Sequence, residues 1–154
     1  MEELTKLAQA LDVKGGHSAE SLLAAARAVA AALFWGLDNL YWAQKMELFQ
    51  VADTGRVNRY RIGMWLASVL LSLQPAIRAY LMARAAVKRD EPKTQQALNV
   101  QTANLVRLGG DVIVASSFAV AAEVLPPVFE VHDGIIGIAG VASGAAGLFM
   151  TLQK

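Results

Sequence analysis

The 154-residue chain contains no cysteine, which excludes a disulfide framework, a thiolate metal site and a cysteine nucleophile together. Charge is scarce. Asp, Glu, Lys and Arg make up 18% of the residues, against about 25% in an ordinary soluble domain. The 14 basic and 13 acidic side chains nearly cancel, leaving +1, and no basic stripe interleaved with aromatics appears, so a nucleic-acid partner is not expected. The two histidines, His17 and His132, each stand beside a predicted turn without a second ligand or nucleophile. No G-x-S-x-G, HExxH or Gly-rich phosphate loop is present. Asp111 and Glu123 lie twelve residues apart, about 18 Å along a helix, too far for a carboxylate pair. The chain is therefore read as non-enzymatic, with no catalytic, cofactor-binding or metal residue. Strand signals are missing too: Asp133-Gly134 is the one hairpin-type turn, and no alternating strand follows it. The acidic start Met1-Glu2-Glu3 does not look secretory, and Leu152-Gln153-Lys154 is not a Ser-Lys-Leu address.

What is abundant is apolar: 55% of the residues are hydrophobic, in a length suited to one domain. Periodicity and breakers predict an all-α protein, a membrane helical bundle of about four long helices plus a short N-terminal one. The short helix, about 2–12, has Leu4, Leu7, Ala8 and Leu11 on one face and ends at Gly15-Gly16. Long helices are expected at about 18–50, 57–87, 93–125 and 133–153, with breaks at Asp53-Thr54-Gly55, at Lys88 to Pro92 and at Pro126-Pro127. Gly134 to Leu152 is 19 residues without a formal charge, about 28 Å, which matches a hydrocarbon core of ~30 Å. Ile62 to Ile77 gives 16 uncharged residues and is read as a span kinked by Pro75 and bounded by Arg61 and Arg78. A soluble helical bundle is the plainer alternative.

Within this apolar background a few residues stand out. Phe34-Trp35-Gly36-Leu37-Asp38-Asn39-Leu40-Tyr41-Trp42 sets a carboxylate and an amide among aromatic and aliphatic side chains, where an unsatisfied polar group is costly. Asp38 is therefore either part of a polar stripe at a membrane surface or an ion paired inside a bundle. Glu20, Arg27, Asp38 and Lys45 fall within about 40° of one another on a helix. Phe34, Trp35, Tyr41 and Trp65 are candidate membrane-interface residues. Near the C-terminus Gly137, Gly140, Gly144 and Gly147 recur at spacings of three and four. They are candidate helix-packing positions, because a face without side-chain bulk lets another helix backbone approach.

These elements in succession carry a resemblance. Leu37-Asp38-Asn39-Leu40-Tyr41-Trp42, the Trp65 to Leu73 segment ending in Arg78, Leu108-Gly109-Gly110-Asp111 and a glycine- and serine-rich final helix together resemble the peroxin 11 family over roughly 22–151. The resemblance implies a peroxisomal or glycosomal membrane protein that promotes elongation and division of the organelle. It marks Asp38, Asn39, Trp42, Arg78 and Asp111 as motif residues. The lipid bilayer, further copies of the chain, and fission machinery or related family members are the implied partners. Family members usually carry some tens of residues before this region, including an amphipathic helix credited with membrane remodelling, where this chain has about twenty. It is read as a short or N-terminally trimmed member.

Three functions stay open at this level. A membrane-shaping scaffold would act by helix insertion and oligomerisation. A small solute pore would line a polar path with Arg27, Asp38, Arg78, Asp111 and Glu123, since intramembrane ionisable residues are functional candidates by default. An adaptor would dock partners on the basic turns at Arg56 to Arg61 and Arg84 to Lys93.

Overall fold

A computed structural model describes residues 19–48, 50, 52–87, 94–127 and 131–153. The expected short N-terminal helix, His17, the cap expected at Ser18 and the charged turn 88–93 lie outside them. Four helices follow one another: α1 (Ala19–Lys45), α2 (Thr54–Val87), α3 (Thr94–Ala121) and α4 (Asp133–Leu152). There is no strand among the described residues, so the protein is all-α, and all four helices are long and apolar enough to cross a membrane.

Local chemistry sets the ends. α1 opens with Glu20 in its first turn and closes with Lys45 in its last, each sign favourable to the helix dipole. It stops at Lys45, short of the expected Gln50, because Glu47 takes the left-handed conformation (φ 58°). Leu48 N–H then donates to Ala43 O (3.1 Å) and Glu47 N–H to Gln44 O (3.0 Å), a Schellman cap. α3 ends the same way. Glu123 has φ 58°, Val124 N–H donates to Ala119 O at 2.7 Å and Glu123 N–H to Val120 O at 3.0 Å. The helix therefore stops four residues before Leu125, ahead of the two prolines expected to end it. Both caps place a glutamate where glycine is favoured, a strain of about 1–2 kcal/mol each. Neither was visible as a glycine signal.

α2 begins earlier than expected because Asp53 caps it, Oδ1 accepting from Arg56 N–H at 2.8 Å. The arginines read as a basic turn, Arg56, Arg59 and Arg61, thus belong to the first two turns of this helix. Pro75 sits inside α2, where its missing N–H leaves the Leu71 carbonyl without the usual intrahelical partner. α4 is capped by His132, whose Nδ1 accepts from Gly134 N–H at 3.1 Å.

The four helices group as two compact units. The first takes α1, α2 up to Leu71 and the end of α3 from Phe118; the second takes α2 from Ser72, α3 up to Ser117, and α4. Their boundary in α2 falls after Leu71, four residues before Pro75.

Burial is inverted relative to a water-soluble bundle. Eight of the twelve buried apolar residues are alanines (Ala28, Ala30, Ala76, Ala115, Ala119, Ala122, Ala139 and Ala146), and no described polar or charged residue is fully buried. Leu22, Leu33, Leu70, Leu81, Met82, Ile138, Val141 and Leu148 are all exposed, Ile138 at 72% and Val141 at 74%. Small residues at helix contacts with large apolar residues facing outward is the arrangement of helices solvated by lipid, where burying leucine inside gains nothing over leaving it in acyl chains.

Candidate functional site

Each unit holds an arginine–aspartate cluster at a contact between helices. In the first, Arg61 Nη1 donates to Asp38 at 2.6 Å, joining α2 to α1 across 23 residues of sequence. Arg61 Nη2 donates to Asn58 Oδ1 at 2.9 Å, and its guanidinium carbon stands 4.5 Å from the Tyr41 ring centroid. The side chains of Arg61 and Asp38 are 20% and 34% exposed, so the pair is half-buried and screened less than a surface pair. One turn away the aromatics converge. Phe34 stacks on Trp65 at 5.9 Å and 22°, and Trp65 meets Phe118 at 6.0 Å and 45°. Gln44 donates to Thr54, tying the end of α1 to the start of α2. Arg59 reaches Glu123 at 2.7 Å on the surface.

In the second unit Asp111 Oδ1 accepts from Ser143 of α4 at 2.5 Å, and Oδ2 lies 3.5 Å from Arg107 one turn back on α3. This contact depends on Gly110. A Cβ there would stand 2.5 Å from the Ala139 carbonyl oxygen and 3.0 Å from Ser143 Cβ, closer than atoms tolerate. A Cβ added at Gly109 would meet nothing within 4 Å. The glycine doublet therefore resolves: Gly110 lets α3 and α4 touch, and Asp111, the next residue, spans the contact.

The other residues singled out in the sequence scatter around these clusters. Asn39 donates to the Trp35 carbonyl of its own helix at 2.8 Å. Trp35 and Trp42 are 58% and 56% exposed, while Tyr41 carries Lys45 at 5.6 Å as well as Arg61. Arg78 is exposed on α2 and engaged with neighbours. Of the α4 glycines, a Cβ added at Gly137 or Gly144 would meet nothing within 4 Å, one at Gly140 would stand 4.0 Å from Val114, and one at Gly147 would stand 3.7 Å from Arg107. No position of that stripe makes an approach as close as Gly110 does. Sequence reasoning missed Arg61 as the partner of Asp38 and Ser143 as the partner of Asp111. For Arg61 it named the bound of a span and the end of a basic turn; for Ser143 a serine within a small-residue helix was the only signal.

Among the described residues no group of three or more His, Asp or Glu side chains is placed to hold a metal ion. The clusters do structural work: each fixes one helix against another with a polar bond inside an apolar setting. Comparison with known families decides what kind of protein carries them. The family model described as Peroxisomal biogenesis factor 11 (PEX11) matches residues 1–152. The chain belongs to the PEX11 family. It is thus a peroxisomal biogenesis factor by family, associated with the peroxisome, and the family is one of biogenesis factors rather than enzymes. The match extends beyond the 22–151 stretch in which the resemblance is read from motifs, reaching to the first residue. No curated protein and no solved structure matches the chain. Within this PEX11-family chain the Leu37 to Trp42 motif contributes the α1 half of the first cluster, and the Gly-Gly-Asp motif builds the second.

Proposed function

We propose that the protein shapes the peroxisomal membrane, promoting its elongation and division by embedding its helices in the bilayer and associating with further copies of itself. The observation that carries this reading is the inverted burial: alanines at the helix contacts and large apolar side chains outside, on four helices of membrane-crossing length. A protein with such an outer surface adds apolar volume to the bilayer, and where that volume differs between leaflets the membrane bends. The polar path that a pore would need has less support, because its three acidic candidate residues are already engaged in pairs. Asp38 is held by Arg61, Asp111 by Ser143 and Arg107, and Glu123 by Arg59.

Carbonate extraction of membranes at high pH should leave the protein in the pellet, and release to the supernatant overturns the embedding. Shaping is read on reconstituted liposomes. Trp35 and Trp42 are the residues to change, since both face outward whereas Phe34 is part of the ring stack. The double Trp35→Ser, Trp42→Ser substitution removes apolar contact worth roughly 1.5–3 kcal/mol per side chain and should reduce tubulation with little change in helix content. If vesicles keep their shape with the unaltered protein and instead leak solute in a way that Arg78→Gln or Asp111→Asn changes, the pore replaces the scaffold.

A further inference from the structure

The first unit contains a cleft with unequal walls. Phe34 of α1, Ile62 and Trp65 of α2 and Phe118 of α3 line a cavity of about 210 Å³, and Arg61 is its one polar lining residue. Phe118 is 50% exposed, so the cleft has an accessible rim. Its polar end sits at a defined depth. Arg61 lies seven residues inside the start of α2 and Asp38 seven residues before the end of α1, about 10 Å along either axis. The 34 residues of α2 measure about 51 Å against a hydrocarbon core of ~30 Å, so a centred helix leaves about 10 Å at each end among the headgroups. Arg61 and Asp38 then stand where headgroups meet acyl chains, with Phe34 and Trp65 one turn deeper.

The charges at that level form a dipole. Arg61 commits one hydrogen of each Nη, to Asp38 and to Asn58, and among the described residues the second hydrogen on each nitrogen has no acceptor. Asp38 accepts from Arg61 through Oδ1, and its carboxylate is 34% exposed, leaving Oδ2 open to a donor. A purely anionic headgroup would gain from Arg61 and be opposed by Asp38. A zwitterionic headgroup with phosphate and ammonium a few atoms apart satisfies both. A primary ammonium, unlike a quaternary one, also donates hydrogen bonds to the carboxylate. We propose that this cleft holds one molecule of an ethanolamine-type phospholipid, with its phosphate on Arg61 and the upper part of an acyl chain against Phe34, Trp65 and Phe118, and with its ammonium reaching past the cleft lining to Asp38, the residue bonded to Arg61. The proposal rests on the bilayer-embedded reading above.

The test uses the full chain with Trp35→Phe and Trp42→Phe, purified in detergent, so that Trp65 is the sole indole. It is titrated with phosphatidylethanolamine, phosphatidylcholine or phosphatidylglycerol brominated on the acyl chain, because bromine quenches a nearby indole. The ethanolamine lipid should reach half-quenching at a concentration about tenfold below the choline lipid, the effect of one charge-assisted hydrogen bond. Asp38→Asn should erase that difference, and Arg61→Gln should weaken both lipids. The ranking in the protein with Arg61 and Asp38 intact decides the matter even if neither variant folds. Equal quenching by all three lipids, strongest quenching by phosphatidylglycerol, or displacement of the bromolipid by oleate more readily than by unlabelled phosphatidylethanolamine overturns the site while leaving the embedding in place. No quenching by any lipid overturns both.

Discussion

The two units solve the same problem, holding apolar helices together where the hydrophobic effect gives little help, by different means. The first uses bulk. Ile62, Leu66 and Val69 are buried there, three aromatic rings converge, and the ion pair crosses between helices. The second uses proximity. Apart from Leu108 its buried apolar residues are alanines, and Gly110 lets α3 press on the Ala139 carbonyl. Its arginine and aspartate lie on one helix, and a serine hydroxyl makes the crossing bond. A ring stack tolerates small displacements because its contacts are broad. A backbone-to-backbone contact does not, so the second unit should be brittle where the first is forgiving.

The sharpest way to break that comparison is Gly110→Leu. The added Cβ alone would sit 2.5 Å from a backbone oxygen, which only separation of α3 from α4 relieves, and the Asp111–Ser143 bond would be lost with it. We expect destabilisation of about 3 kcal/mol or more, read as lower thermal stability in detergent and lost cross-linking between cysteines introduced on α3 and α4. Trp65 fluorescence, reporting the first unit, should barely change. Equal disruption of both signals would show that the units are not separate.

Asp38→Ala tests the first unit. It removes the carboxylate from Arg61 and leaves a half-buried guanidinium with Asn58 and the Tyr41 ring. A fully buried partner left alone would cost about 3–5 kcal/mol; with the pair partly exposed we expect roughly 1–2 kcal/mol in unfolding free energy after discounting for screening. Asp38→Asn should recover part of it by keeping an acceptor. A loss under about 0.5 kcal/mol, the range of an ordinary surface change, would show that the pair contributes only positioning.

The smallest effect belongs to Gly144→Leu. With nothing within 4 Å of the added Cβ, the stability of the isolated chain should change by less than about 0.5 kcal/mol, although the stripe matches the pattern of a helix-packing face. Cross-linking between copies is the measurement that responds if self-association uses this face. A large loss of monomer stability would instead show that α4 packs differently.

The legible part of the site ended at single residues. Asp38 stood out in the sequence because a carboxylate in an aromatic run needs a partner, yet which of the basic residues answered it depended on how α1 and α2 align side by side. The Gly109-Gly110 doublet was visible, but which glycine faced a neighbour was not, since consecutive positions on a helix point about 100° apart. Within the chain the glycine stripe of α4 makes no approach as close as that of Gly110. Small residues permit close approach without requiring it, and the one contact of that kind among the described glycines came from α3.

The all-α class and the apolar character of the four described helices followed from the sequence alone, because periodicity and breakers act within a few residues of chain, and the length of an uncharged run is measured directly against a bilayer. Where α1 and α3 stop was decided by Glu47 and Glu123 in left-handed backbone, a conformation glutamate does not announce. The grouping of the helices into two units, the pairing of Arg61 with Asp38 and of Ser143 with Asp111, and the cleft beside Trp65 were decided only by the tertiary structure. Each joins positions tens of residues apart, and their meeting depends on the register of one helix against another, which no local pattern encodes.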